Sequence, residues 1–334
     1  MPTSPSRHTE TMVVPGMRLG RRPHDPDRPA LRLADILTGL TPAHPATVDH
    51  FGLVPVKSWG DLGNLQYGDC GPADVVHDRM LVSKYLGGVM STLGTTDALD
   101  LYKRSGNPNF PADDNGVVMA DMLSEVHKTG VGPPDALGNR TKCVAYAQVN
   151  VADLDEVRAA IAIFGSLSTG ADLCKVQQAQ TDAGGPWDYD GSSPDWGGHA
   201  FLTGQYTGDT TAGRPDLGGL TWGFPIGITD KFWMQQAQEA WVVIWPEHLT
   251  NRSFLVGVDQ TALADNYKIL TGRDLPVSPI PTPVPTPTNA ITAAQNSANL
   301  QMAAMAHAFI RYAHSGLAGE MANELAQWLA AWGL

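Results

Sequence analysis

The sequence predicts a fold of the α+β class, on three observations. In "GPADVVHDRMLVSKYL" (residues 71–86), Val76, Met80 and Leu81 fall on one face of a helix, and a proline stands in its first turn, where a missing N–H costs nothing. In "HAFLT" (residues 199–203), alternate residues face one way, as in a strand. Between these stretches and beyond them, from Trp59 to about Leu270, helical and strand patterns alternate.

Composition divides the chain into four parts. Residues 1–50 are rich in Pro, Arg and His, which predicts an extended arm laid over a surface, and residues 51–270 form the main domain. The run "PVSPIPTPVPTPT" (residues 276–288) predicts a semi-rigid linker. Residues 289–334 carry two apolar stripes at helical spacing, separated by Ser315-Gly316, and predict a helical hairpin. Two helices alone bury too little surface, so the hairpin needs a partner surface.

Charge and composition exclude several classes of function. The net charge is −12, and no run of Lys and Arg forms a basic stripe, so we expect neither a nucleic-acid partner nor a membrane partner. No apolar stretch is long enough for a signal peptide or a membrane span, which predicts a soluble protein. Phosphate-binding loops, His-Glu zinc motifs and Gly-x-Ser-x-Gly elbows are missing, so we expect no cofactor or metal.

The stretch "GNLQYGDCGPADVVH" (residues 63–77) places Cys70 at the predicted start of a helix. The positive end of the helix dipole stabilises a thiolate there, so we expect a thiol pKa lowered toward neutrality. The amide side chains of Asn64 and Gln66 are both close enough in sequence to join the Cys70 N–H in an oxyanion hole. A lone cysteine is also a common buried residue, and this stretch alone leaves that alternative open.

His199 follows two glycines and opens the predicted strand "HAFLTGQY". An imidazole brought beside a thiol holds it as an ion pair and later protonates the leaving amine. A histidine at a strand end is often only a polar edge residue. Together, Cys70 and His199 favour a catalytic pair.

The order of these residues resembles that of the papain-like cysteine peptidases over roughly residues 55–248. A cysteine at a helix start is followed by Gly-His-Ala opening a strand, by "TWG", and by the aromatic strand "EAWVVIWP". The resemblance implies two lobes, one helical and led by Cys70, the other a twisted antiparallel sheet carrying His199. It also implies that the amide six residues before the cysteine, here Asn64, helps form the oxyanion hole, with Gln66 as the fallback.

Two narrower resemblances concern the cysteine motif. Asp-Cys-Gly-Pro-Ala (residues 69–73) is similar to the peptidase domains of ABC exporters that process bacteriocins. The "LGN" run followed by "GDC" resembles uncharacterised proteins of tailed phages and bacteria. These similarities imply a setting in a virion or in the bacterial cytoplasm.

The third catalytic position departs from the papain-like pattern. The family's Asn-Ser-Trp-Gly run is replaced by Leu220-Thr221-Trp222-Gly223, and leucine cannot accept a hydrogen bond. Thr221 orients His199 instead, or Asp195 or Asp209 does so, or the protein works as a Cys-His dyad, or catalysis has been lost. Trp222 is either a lid on the histidine or a core aromatic.

The remaining candidates have structural interpretations. We expect His77 to be a surface or core histidine, Asp69 and Asp74 to be helix caps, and Cys143 and Cys174 to be packed thiols. The loop "PWDYDGSSPDWGG" (residues 186–198) either lines a substrate cleft or holds His199 rigidly.

The sequence therefore predicts a cysteine-dependent hydrolase of a peptide or peptidoglycan amide bond, associated with a phage. Cys70 is the nucleophile, His199 the base and acid, Asn64 or Gln66 the oxyanion donor, and Thr221 a candidate orienting residue. The alternative is a virion structural or adsorption protein that keeps the fold with little or no catalysis. In either case, the arm and the hairpin are expected to mediate assembly or self-association.

Overall fold

The structure, a computed structural model, describes residues 16–39 and 43–276. These residues form an α+β fold, as the sequence predicts. The described strands are β1 (Val48–Asp49), β2 (Ala145–Val149), β3 (Leu167–Cys174), β4 (Asp195–Tyr206), β5 (Pro215–Thr221), β6 (Phe224–Thr229) and β7 (Ala237–Ile244). The described α-helices are α1 (Cys70–Gly87), α2 (Thr95–Arg104), α3 (Met119–Lys128), α4 (Leu154–Phe164), α5 (Lys175–Asp182), α6 (Asp230–Gln236), α7 (Arg252–Gly257) and α8 (Gln260–Thr271).

The strands form one antiparallel sheet in the order β2-β7-β3-β4-β5-β6, and the short β1 pairs with β4. Over the described residues the sheet is open, with β2 and β6 at its edges. Strand β4 lies inside the sheet, between β3 and β5. The residues from His199 to Leu202 are all buried.

Two hydrophobic cores lie on opposite faces of this sheet. Ala200 and Leu202 of β4 belong to the core shared with α1, α2 and α3, whereas Phe201 belongs to the core on the other face, which includes α4 and α6. Because side chains alternate along a strand, β4 contributes to both cores at once. His199 lies on the Phe201 face, as its spacing predicts.

Helix α1 begins at Cys70 and ends before Gly88, whose left-handed φ of +75° closes the helix. Val76, Met80 and Leu81 are buried, as the sequence predicts, but so is every other residue from Cys70 to Ser83. The reason is tertiary: α1 packs on β3 and β4 on one side and on α2 and α3 on the other. Its first residue is thereby held at the junction of the helices and the sheet.

The two ends of the chain are described only in part. In the predicted arm, residues 16–39 and 43–50 contain one 3-10 turn, Leu33–Asp35, and the short β1. The predicted hairpin, 289–334, and the linker beyond Pro276 lie outside the described residues. Within the described ranges, no helix has the length and apolar character needed to cross a membrane.

The packing of α1 on the sheet predicts a large stability loss for Leu202→Ala, because Leu202 is fully buried between them and faces Leu220 on β5. We expect a loss of about 2 to 5 kcal/mol in the free energy of unfolding, measured by urea denaturation. The control Ile269→Ala removes a side chain that is 81% exposed on α8 and should change stability by no more than about 0.5 kcal/mol. Equal losses in both variants would contradict this packing.

Candidate active site

Cys70 is the first residue of α1 and is only 1% exposed. The backbone N–H of Ala200, the residue after His199, donates to its Sγ atom at 3.4 Å. The Cys70 N–H has no partner within the helix, because the first N–H groups of a helix point out of its end. The fold therefore brings the predicted nucleophile next to the strand that carries the predicted histidine.

A hydrogen bond and a close stacking contact fix the His199 ring. Its Nε2 atom lies 2.7 Å from the Thr221 Oγ1 atom, and its ring is stacked on Trp222 with centroids 4.4 Å apart at 19°. The other ring nitrogen, Nδ1, is buried and has no hydrogen-bond partner among the described residues. Of the two ring nitrogens, only Nε2 is therefore engaged by the described residues.

Among the alternatives for the third position, Thr221 is the residue that contacts the imidazole. Leu220 and Thr221 point to opposite faces of β5, so only one of them can meet the imidazole. Leu220 pairs with Leu202 and packs in the core around α1, which leaves Thr221 against His199. Asp195 is exposed, and Asp209 is half-buried and accepts from the Thr211 N–H in its own loop.

Trp222 is both a lid and a core residue. It is 3% exposed, and its backbone adopts a left-handed φ of +48°, which is costly for a bulky side chain. That turn swings the indole over His199. The loop at 186–198 completes the enclosure, since Trp187 packs edge-on against the imidazole and Trp196 against Trp222.

Of the two candidate oxyanion donors, the structure brings Asn64 into the cleft. Asn64 is 2% exposed and lines a small cavity with Cys70, Ala200 and Trp222. Gln66 is exposed, and its side chain makes no hydrogen bond within the described part of the chain. The Asn64 side-chain amide already has hydrogen-bond partners, because its Nδ2 atom donates to the backbone oxygens of Arg18 and Tyr67.

Residues 17–22 of the arm, here called the cleft segment, cross this site. No sequence pattern pointed to them. On the helical side, the Arg18 N–H donates to the Asn64 carbonyl. The Val117 N–H donates to the Gly20 carbonyl, and the Arg22 N–H donates to the Val117 carbonyl. On the sheet side, the Arg21 N–H donates to the Gly198 carbonyl at 3.0 Å, and the Trp222 Nε1 atom donates to the Arg18 carbonyl. A peptide backbone therefore occupies the cleft between the two lobes.

The cleft segment fits closely at Gly20. A Cβ atom on Gly20 would lie 1.8 Å from the Gly68 carbonyl oxygen, so no other residue fits there without movement. The cleft wall is equally close, since a Cβ atom on Gly198 would lie 2.3 Å from the Arg21 carbonyl oxygen. Glycines on both sides let the two backbones approach each other.

With the cleft segment in place, burial favours the neutral forms of Cys70 and His199. Burial raises the pKa of the Cys70 thiol to about 12, although the backbone N–H groups of Ala200 and Gly20 favour the thiolate. Burial, assisted by the Arg21 charge, lowers the pKa of His199 to about 3. The prediction of a low-pKa thiol is therefore wrong for this arrangement, because desolvation outweighs the helix dipole.

The secondary candidates have structural roles. His77 is a core histidine whose Nε2 atom donates to the Gly60 carbonyl, and Cys143 and Cys174 are buried free thiols. The capping prediction is wrong for both acids. Asp69 is at the N-cap position without a side-chain cap bond, and burial raises its pKa to about 8. Asp74 instead accepts from the Ser168 hydroxyl on β3.

No group of three or more His, Cys, Asp or Glu side chains within residues 16–39 and 43–276 is arranged to hold a metal ion.

No family model matches the chain, and no curated protein matches it by sequence. Solved structures do match. Xylellain, a cysteine protease from Xylella fastidiosa, aligns with a TM-score of 0.53 and 16% identity over 69% of this chain and 97% of that one. The chain has a papain-like fold.

Two digestive proenzymes from the larval midgut of Tenebrio molitor give the same result. Procathepsin L 3 aligns with a TM-score of 0.50 and 15% identity over 70% of this chain and 77% of its own chain. Procathepsin L2 aligns with a TM-score of 0.50 and 14% identity over 71% of this chain and 81% of its own chain. These neighbours are cysteine peptidases, and the two-lobe fold expected from the sequence is confirmed. At such identities the likeness concerns the fold alone.

Burial by the cleft segment predicts an unreactive Cys70 in the unmodified protein. Gly20→Ala should dislodge the segment by the clash with Gly68, and alkylation of Cys70 at neutral pH should then accelerate by about 100-fold or more. Alkylation is measured for each cysteine by peptide mass spectrometry. Gly87→Ala, at an open position at the end of α1, is the matched control and should leave Cys70 unreactive.

Arg21→Asp offers a second route to the same state, since it places a carboxylate against Asp172 and Glu239. A Cys70 that stays as unreactive as Cys143 in both variants would show that the segment does not protect the thiol.

Proposed function

We propose that the protein is a cysteine-dependent hydrolase of peptide bonds that is latent while its own cleft segment fills the site. The observation that carries this proposal is that Asn64, beside Cys70, donates its side-chain amide to a peptide carbonyl, that of Arg18. The cleft therefore already binds a peptide backbone beside Cys70 and beside the strand that carries His199. The fold shared with cysteine peptidases supports the same class of reaction.

In the proposed reaction, the Cys70 thiol gives its proton to Nδ1 of His199, and Sγ attacks the carbonyl carbon of the substrate. The oxyanion accepts from the Asn64 amide and the Cys70 N–H. His199 then protonates the leaving amine, the C–N bond breaks, and a thioester remains on Cys70. Water activated by His199 hydrolyses the thioester and restores the thiol. Thr221 holds Nε2 throughout, which keeps Nδ1 directed at the reacting atoms.

The cleft segment opposes each of these steps. It occupies the Asn64 amide, it keeps water from Cys70, and Arg21 adds a positive charge that disfavours the imidazolium. Its departure lets both pKa values return toward their ordinary range, which favours proton transfer from the thiol to the imidazole. Activity therefore requires the segment to leave.

The finer parts of the proposal concern the substrate and the setting. The similarity of the "LGN" and "GDC" runs to phage and bacterial proteins supports a phage-associated enzyme in a virion or in the bacterial cytoplasm, with a peptidoglycan amide as one substrate. Self-association or assembly through the arm and the hairpin is part of the same proposal.

A second candidate is a virion structural or adsorption protein without turnover. It is favoured by the same closed site, in which Cys70 is 1% exposed and the cleft holds a segment of the chain itself. If the protein never releases this segment, Cys70 and His199 serve only as packing residues.

Hydrolysis by the full chain carrying Gly20→Ala separates the two candidates. We expect this variant to cleave denatured casein or a muropeptide, whereas the unmodified chain and Gly20→Ala combined with Cys70→Ala do not. The readout is release of new amino groups. If Cys70 becomes accessible to alkylation in Gly20→Ala and no substrate is cleaved, the structural candidate stands.

The Thr221 contact predicts a specific loss of turnover. In the Gly20→Ala background, Thr221→Val removes the hydroxyl that fixes the imidazole and should lower kcat about 10- to 100-fold, whereas Thr221→Ser should retain most of it. Leu220→Asn should not raise activity, because Leu220 faces the core around α1. Equal activity of the Val and Ser variants would remove Thr221 from the mechanism.

A further inference from the structure

Asp69 is a buried carboxyl group that the proposed mechanism does not use. It directly precedes Cys70, and its side chain is a neighbour of the Asn64 side-chain amide. We propose that Asp69, in its neutral form, donates a hydrogen bond to the Asn64 side-chain oxygen and so keeps the amide nitrogen directed at the oxyanion. Asp69 is then a positioning residue. This inference rests on the proposed hydrolase function and adds a pH-dependent regulation of the same site.

The surroundings of Asp69 favour its neutral form. The residue is 0% exposed, and neither carboxyl oxygen has a hydrogen-bond partner among the described residues. The carboxyl group lies against the backbone just before Asn64, because a Cβ atom on Gly63 would be 2.9 Å from Asp69 Oδ2 and 3.3 Å from Leu99 Cδ2 on α2. Backbone and an apolar side chain leave a charge there without solvation, so a proton on the carboxyl group is strongly favoured.

Two neighbouring carboxylates add to this preference. Asp61 accepts from a backbone N–H at 3.2 Å, and Asp114 accepts from the Tyr102 hydroxyl at 2.7 Å and from a backbone N–H at 2.9 Å. Burial, assisted by repulsion from Asp114 and Asp61, raises the pKa of Asp69 to about 8, although its own N–H and the Asn64 amide oppose the shift. Of the three carboxyl groups, Asp69 is the one that lacks donors and holds a proton at neutral pH.

The Asn64 amide has one unused hydrogen-bonding atom, its oxygen. The Nδ2 atom donates to the Tyr67 carbonyl at 3.1 Å and to the Arg18 carbonyl at 3.2 Å. An amide nitrogen carries two hydrogens, so both are engaged. The side-chain oxygen accepts no hydrogen bond from the described residues. Only the neutral form of Asp69 has a hydrogen to give to this oxygen, because an ionised carboxylate can only accept.

The orientation of the amide decides whether Asn64 can stabilise the oxyanion. When the cleft segment leaves, the hydrogen donated to the Arg18 carbonyl becomes available to the substrate, while the Tyr67 carbonyl keeps the other. A neutral Asp69 at the oxygen end holds the amide in this orientation. An ionised Asp69 favours a hydrogen bond from the amide nitrogen instead. The turned amide would present its oxygen to the oxyanion and repel it.

The rate of cleavage should therefore fall as the pH rises through the pKa of Asp69. Below about pH 8 the group is neutral and positions the amide, and above that pH it is ionised. Its charge also disfavours the Cys70 thiolate, which changes the rate in the same direction. Tyr102 is the other titratable group that faces it. The groups around Asp69 belong to residues 61–114 and not to the cleft segment, so they stay in place when the segment leaves.

The test measures kcat on a peptide, from neutral pH to above the pKa of Asp69, with the full chain carrying Gly20→Ala. This parent should lose about 10-fold or more over that range. Asp69→Asn can donate to the Asn64 oxygen at every pH, so it should lose much less. Asp69→Leu cannot donate and should be about 10- to 100-fold slower than the parent at neutral pH. Titration of the catalytic thiol and imidazole is common to all these variants, so their differences report Asp69.

Glu156→Gln is the matched control, because it removes another buried carboxyl group, on α4, whose pKa is also raised by burial. Its pH profile should follow that of the parent. Equal activity of Asp69→Leu and Asp69→Asn, or an unchanged alkaline loss in Asp69→Asn, would overturn the inference. If Asp69→Leu does not fold, the profile of Asp69→Asn against that of the parent still decides the question.

A spectroscopic measurement separates failure of this inference from failure of the proposed function. In NMR spectra of the unmodified full chain, the Asp69 carboxyl carbon should titrate at about pH 8, and the Asn64 side-chain amide signals should move at the same pH. In Asp69→Asn the Asn64 signals should stay fixed. Asn64 signals that ignore the Asp69 titration would overturn the inference and leave the hydrolase. A coupled titration in a protein that cleaves nothing would support the contact and remove the hydrolase.

Discussion

The position of Cys70 depends on how helix α1 is anchored to the sheet. Two buried carboxylates on the helix make this connection. Asp74 accepts from the Ser168 hydroxyl, and Asp78 accepts from the hydroxyl of Ser166 and from the Trp245 indole. Hydrogen bonds in such a buried environment fix direction as well as distance. Because the helix cannot rotate or slide on β3, its first residue stays beside Ala200, and the candidate site keeps its geometry.

The same burial that fixes the candidate site disfavours the charged forms of Cys70 and His199. A helix N-terminus stabilises a thiolate by a modest electrostatic effect, whereas removal of water from a charged sulfur costs several times more. The cleft segment contributes to that removal, because its backbone lies over the cleft in which Cys70 is 1% exposed. In the proposed function, this segment leaves before water and substrate enter.

The positions of Cys70 at a helix start and of His199 on a strand could be predicted because they depend on local signals. Pro72 and the apolar spacing after Cys70 indicate a helix start, and the alternation after His199 indicates a strand. The burial of every residue from Cys70 to Ser83 could not be predicted, because it arises from packing on both sides of α1. Thr221 was one of several alternatives in the sequence, and the register of Leu202 with Leu220 was needed to place it against His199.

The sequence by itself determined the helix that begins at Cys70, the strand that opens at His199 and the α+β class. Each of these follows from residue spacing over one or two helical turns, or over one or two pairs of alternating residues in a strand. Tertiary structure alone decided that Arg18 reaches Asn64 and that Arg21 reaches Glu239. The second pair is 218 residues apart in the chain. No local pattern encodes such contacts, since a buried ion pair forms only where folding removes both groups from water together.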